Sequence, residues 1–201
     1  MSVSDITRYR VAMVRWEPDS RGRLEQAALE LFGEQGFEHT TVAEIAARAG
    51  VTERTFFRHF ADKREVLFGG AAILQERIVT GVAAAPTGTG PLEAVACGLD
   101  AAAAMLGAFR RDLSAQRLAV IAANPELRER ELAKVADYAK AVAVTLRERG
   151  VGDPQATLAA EAGMTVLRVG LERWAKGEDD RDLATIMRSS MAELRAVTAS
   201  G

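Results

Sequence analysis

The 201 residues predict an all-helical protein. A short N-terminal three-helix part precedes a larger helical bundle, about nine helices in all. Three observations carry this. Alanine is abundant, there are five prolines, and aromatics make up 5%, a balance weighted toward residues that lose least on entering a helix. Apolar residues recur at helical spacing from Leu24 onward. No stretch alternates with period two over a useful length, so no sheet is expected.

The elements follow in order. Residues 1–19 read as an arm without sustained periodicity, carrying Arg8, Arg10 and Arg15. Leu24, Ala27, Ala28, Leu31 and Phe32 form one apolar stripe on a first helix. Gly36 stands where a left-handed C-terminal residue belongs, and Phe37 follows it. Thr41 and Glu44 have capping-box spacing, so a second helix starts at Val42. It carries Val42, Ile45, Ala46 and Ala49 inward and stops at Gly50. Thr52 caps a third helix whose inner face holds Phe56 and Phe60. Asp62-Lys63-Arg64-Glu65 reads as the start of a long fourth helix reaching about Ala84.

Ala85 to Pro91 is the clearest loop. It lacks the Gly-Lys-Ser/Thr ending and the preceding strand of a phosphate loop. Roughly four or five helical segments follow it. Asn124-Pro125 and Asp153-Pro154 each pair a capping residue with a proline at the first helical position. Gly150 and Gly177 close the helices before their loops. The domain boundaries expected from this pass are an arm over 1–19, a three-helix domain over 20–66 and a bundle over 67–201.

Charge narrows the function classes. The formal net charge is −2, so the chain as a whole is not a polyanion binder. Residues 48–64, however, hold five basic and two acidic residues, a local patch suited to a small DNA-reading element. Cys97 is the single cysteine, so no intrachain disulfide forms and a reducing cytoplasm fits. The N-terminus has no signal-peptide core, and no apolar run approaches the roughly 18 residues that span a bilayer. There is no Ser-His-Asp arrangement, dinucleotide fingerprint, paired-carboxylate motif or metal cluster, His39 and His59 lying far apart. An enzyme, a cofactor, a metal and a membrane partner are therefore not expected.

The second and third helices are the informative part. Joined through Ala49-Gly50-Val51, they make a tight helix-turn-helix, with glycine permitting the turn. Once Phe56 and Phe60 face inward, Glu53, Arg54, Thr55, Phe57 and Arg58 are left outside. An exposed aromatic beside arginines on a short helix fits a helix laid in a major groove.

Residues 21–67 resemble the DNA-binding domain of TetR/AcrR-type one-component regulators. The resemblance rests on Thr40-Thr41-Val42-Ala43-Glu44-Ile45-Ala46-Ala47-Arg48-Ala49-Gly50-Val51-Thr52. It continues through Arg54-Thr55-Phe56-Phe57-Arg58-His59-Phe60 and Lys63-Arg64-Glu65-Val66-Leu67. It implies that Glu53, Arg54, Thr55 and Phe57 face base edges and nearby phosphates, and that Thr41, His59 and Lys63 hold the DNA backbone. Elementary chemistry agrees. Thr41 begins a helix whose free N–H groups can meet a phosphate, and Lys63 offers a flexible positive charge. Arg54 could make a bidentate contact to guanine worth about 1–3 kcal/mol of discrimination. Many family members have Tyr where this chain has Phe57, so a hydroxyl contact is lost while contact to a thymine methyl is kept. Plainer readings stand beside these: His59 as a packed surface histidine, Thr41 and Thr52 as caps alone, and Arg8, Arg10 and Arg15 as either a minor-groove arm or a solvated tail.

The resemblance also implies a C-terminal ligand-binding and dimerisation domain. Leu183, Ile186, Met187, Met191, Leu194 and Val197 form one stripe on the last helix. Leu158, Ala162, Val166 and Val169 form another on the helix before it, with Gly163 and Gly170 seven residues apart. These two helices are expected to pair with their twofold mates in a homodimer on a palindromic operator, the plainer reading being that they complete the monomer core. Met105, Leu106, Phe109, Ile121, Tyr138 and Met164 are candidate lining for an inducer pocket, with Gln116, Arg117 or Asn124 as polar partners. Each has a plainer reading as core or surface. The function expected is a bacterial, ligand-responsive transcriptional regulator of the repressor kind, released from double-stranded DNA by a small, mostly apolar inducer. The alternative is a regulator without such a ligand, controlled by a protein partner or acting as an activator.

Overall fold

The computed structural model describes residues 20–177 and 180–199. The expected arm with Arg8, Arg10 and Arg15 lies outside the described residues. Among those residues there are nine α-helices, one short 3-10 turn and no strand. The chain divides into two compact units, residues 1–69 and 70–201.

The first unit holds α1 (Ser20–Gln35), α2 (Val42–Arg48), α3 (Glu53–His59) and a 3-10 turn at Glu65–Phe68. The expected stripe of α1 is buried from Leu24 to Phe32. Gly36 turns the chain with φ +86, a backbone that side chains rarely adopt, and Phe37 folds back edge-on to Phe32, ring centroids 5.1 Å apart. Thr41 and Glu44 complete the capping box: the Thr41 Oγ1 accepts from the Glu44 N–H at 3.2 Å, and the Thr41 N–H donates to Glu44 Oε2 at 2.8 Å. At the other end of α2, the Gly50 N–H donates to the Ala47 carbonyl and the Val51 N–H to the Ala46 carbonyl. This two-bond stop requires the positive φ of Gly50, +68.

The expected long fourth helix is broken. The Asp62 carboxylate does cap, accepting from the Arg64 and Glu65 N–H groups at 2.7 and 3.1 Å. The turn it starts ends at Phe68, and Gly69-Gly70 separates it from α4 (Ala71–Ala83). Two adjacent glycines make helix continuation the least favourable here. The same stretch, Glu65–Ala83, passes for a membrane span by length and composition alone, yet Gly69-Gly70 interrupts it and Glu76 and Arg77 break its apolar run. Its Ile78 and Val82 are wholly buried in the core of the second unit.

The second unit continues with α5 (Pro91–Leu106), α6 (Arg111–Ala123), α7 (Pro125–Glu148), α8 (Gln155–Lys176) and α9 (Leu183–Ala199). Helices α4 and α5 cross at Gly81 and Gly98: a Cβ on Gly98 would lie 2.7 Å from the Ile78 carbonyl oxygen. Pro125 opens α7 as expected, but Asn124 does not cap it. The Asn124 amide instead donates to the Val120 carbonyl at 2.7 Å, closing α6. Arg149, just past α7, donates to the carbonyls of Ala83, Ala85 and Pro86. It satisfies acceptors at the end of α4 that no helix N–H can reach.

Candidate nucleic-acid interface

Thr52 starts α3, its hydroxyl accepting from the Thr55 N–H at 3.2 Å. The seven residues of α3 then divide by face. Phe56 is fully buried and packs on the buried Phe60 at 5.5 Å between ring centroids. Burial of each ring stabilises the unit by roughly 1.5–3 kcal/mol. Glu53, Arg54, Phe57 and Arg58 point outward, and Thr55 is half-buried. Phe57 is 55% exposed and meets Phe56 only edge-on. Arg54 and Arg58 have no hydrogen bond or ion pair among the described residues. Contrast Arg48 on α2, which donates to both oxygens of Glu34 at 2.9 and 2.8 Å and lies 3.5 Å from Glu30. Arg48 and Glu34 lie on different helices, so no spacing in the sequence pairs them. The outer face of α3 thus carries two uncommitted guanidinium groups and an aromatic ring on a rigid base.

The three residues expected at the DNA backbone fall differently. Thr41 is exposed at the start of α2, its hydroxyl engaged with Glu44. His59 is half-buried and shares a 2.8 Å hydrogen bond with the Ser20 hydroxyl. Lys63 departs from expectation. Its ammonium donates to the carbonyls of Phe37, Glu38 and Thr40 at 2.8, 3.2 and 3.2 Å. That occupies all three N–H groups. The turn between α1 and α2 presents these carbonyls without enough N–H partners, and Lys63 clamps that turn instead of standing free.

In the second unit, the candidate pocket residues differ in burial. Ile121, Tyr138 and Met164 are buried, and Met105, Gln116, Arg117 and Asn124 are half-buried. Phe109 stands exposed in the link before α6, which corrects its reading as pocket lining. Arg117 is paired with Glu131.

The candidate interface residues also separate. Val166, Leu183, Met187 and Met191 belong to the protomer core, which removes them from any surface a second copy could touch. Gly163 and Gly170 serve the same core: a Cβ on Gly163 would overlap Val95, and one on Gly170 would lie 3.0 Å from Met187. Leu158 is 65% exposed, and Ala162, Val169 and Leu194 are half-buried.

A helix-turn-helix with its second helix packed on the back and open on the front defines a DNA-reading head. Residues 25–68 match the family described as "Bacterial regulatory proteins, tetR family", and residues 76–199 match the "MftR C-terminal domain". The chain belongs to the TetR family of transcriptional regulators. It is 42% identical over 98 residues to the HTH-type transcriptional regulator TcmR of Streptomyces glaucescens, a match covering 49% of this chain and 39% of TcmR. It therefore spans well under half the length of that relative. It is 25% identical over 171 residues to the transcriptional regulator MftR of Mycobacterium tuberculosis (strain ATCC 25618 / H37Rv), covering 77% of this chain and 79% of MftR. Among solved structures, Thermus thermophilus FadR, a repressor of the same family in complex with lauroyl-CoA, superposes with a TM-score of 0.52 at 27% identity. That superposition covers 87% of this chain and 92% of FadR.

Proposed function

We propose that this protein is a dimeric repressor that grips a palindromic operator through α3 and lets go when a small, mostly apolar ligand occupies the second unit. It acts by binding, without catalysis, in the cytoplasm where its DNA lies. The observation that carries the reading is the outer face of α3, where Arg54 and Arg58 are exposed and uncommitted around Phe57. Arg54 reads a base edge, Phe57 meets a thymine methyl, and Arg58 holds phosphate. Glu53, Thr55 and the capping hydroxyl of Thr52 complete the face, and Thr41 presents the N-terminus of α2 to the backbone. Two such heads in a twofold dimer meet successive major grooves roughly 34–36 Å apart.

The dimer is assigned to the outward side of α8, where Leu158, Ala162 and Val169 share one face at helical spacing. Ligand release is supported by the lauroyl-CoA complex of the FadR relative. The ligand shifts the equilibrium by its difference in affinity between the DNA-bound and free states. A footprint of the purified protein on its own promoter region tests the reading. A twofold-symmetric protected site is expected, and lauroyl-CoA, through its acyl chain, or a small apolar ligand should weaken it. Indifference to every double-stranded fragment at low salt sinks it.

A further inference from the structure

The hydroxyl of Tyr138 is a polar group placed in the core of the second unit. The residue is 7% exposed and packs in the core with Ala139 and Val142. A buried tyrosine ordinarily finds a hydrogen-bond partner, yet this hydroxyl has none among the described residues. Its oxygen keeps a trace of contact with solvent.

Two turns earlier on the same face of α7 is Glu131, paired with Arg117 of α6 by two contacts of 3.4 and 3.0 Å. Both side chains of the pair are 30% exposed. Their fields reach the phenol. Burial, and then the Glu131 carboxylate, push it up to about 12, with the Arg117 guanidinium pulling the other way. Asp137, also felt there, is exposed and paired with Lys140 at 3.2 Å. The seam between α6 and α7 thus joins an unused hydroxyl to a charge pair that is already balanced. A carboxylate or ammonium entering it would lose hydration and find each counter-ion taken. An uncharged donor or acceptor loses far less.

We propose that the second unit selects ligands whose polar group is uncharged, an alcohol, phenol or carbonyl on an apolar body, and that Tyr138 is the residue that reads it. The inference rests on the ligand-responsive reading above and names its ligand class.

Calorimetry on the full chain with decanol and decanoate, equal in chain and different in head, tests it. Decanol should bind about tenfold or more tightly than decanoate, since desolvating an unpaired charge is the larger penalty. Tyr138→Phe, which keeps the ring, should weaken decanol about three- to tenfold, the worth of one hydrogen bond, with the melting temperature and decanoate binding unchanged. Decanoate binding as tightly as decanol, or decanol indifferent to Tyr138→Phe, overturns the proposal. Operator binding followed by fluorescence anisotropy separates the two readings. If neither decyl probe binds but lauroyl-CoA loosens the operator, ligand control stands and the selection fails. If decanol binds, responds to Tyr138→Phe and leaves operator affinity unchanged, ligand control fails and the selection stands.

Discussion

The ammonium of Lys63 lies 2.8 Å from the carbonyl oxygen of Phe37 and 4.3 Å from the centre of the same residue's ring. A single side chain therefore ties the end of the three-helix head back to the turn between its first two helices. Lys63→Met removes the clamp and strands carbonyls. It should lower stability by about 1–3 kcal/mol, read as a fall in the melting temperature. At a temperature where the variant is folded, the salt dependence of operator binding should match wild type. A slope reduced by about one would instead place the ammonium on a phosphate.

The two faces of α3 should respond to mutation in opposite ways. Phe56→Ala empties a fully buried site and should cost about 3–5 kcal/mol of stability, seen in urea unfolding. Arg54→Ala touches nothing in the fold and should leave unfolding unchanged. It should relax preference at one base pair by about 1–3 kcal/mol, measured by binding to operators varied one position at a time. An unchanged base preference would remove Arg54 from the recognition surface.

Local signals in the head are legible in the sequence. The Thr41–Glu44 box, the Gly50 stop and the Phe56/Phe60 inner face depend on neighbours within a few residues, and each formed as expected. The clamp by Lys63 depends on carbonyls more than twenty residues away, and spacing carries no information about it. The last two helices show a different limit. Helical periodicity says that Leu183, Met187 and Met191 are covered. It does not say whether the cover is the same chain or a second copy, and here it is the same chain. Gly163 and Gly170 mark close backbone approach correctly, but toward Val95 and Met187 of their own protomer.

Acid should loosen the fold through carboxylates that the fold holds ionised. The Glu44 carboxyl is lowered from 4.5, first by the Thr41 backbone N–H and then by its hydroxyl. The Glu34 carboxyl is lowered from the same value by Arg48. A depressed carboxyl contributes stability above its unfolded value and loses it as pH falls through the folded one. Urea midpoints for wild type and Glu44→Gln, taken from about pH 6 down to about pH 3, should differ most at the upper end and converge toward the lower. A gap that does not narrow with acid would show that ionisation of Glu44 is irrelevant to its capping role.

Leu158 and Leu183 are the sharpest contrast between an exposed and a buried candidate interface residue. Leu158 is 65% exposed on α8, while Leu183 is 1% exposed at the start of α9. An exposed leucine on a face shared with the half-buried Ala162 and Val169 makes an apolar strip that burial against a copy would cover. A charge placed there should split the dimer without unfolding the protomer. Leu158→Glu is expected to sediment as a monomer with unchanged helicity and a lowered operator affinity, because a lone head meets only one half-site. Leu183→Glu buries an unpaired charge in the core and should unfold the second unit, seen as loss of helical circular dichroism. A Leu158→Glu protein that remains dimeric would move the interface to another face of the second unit.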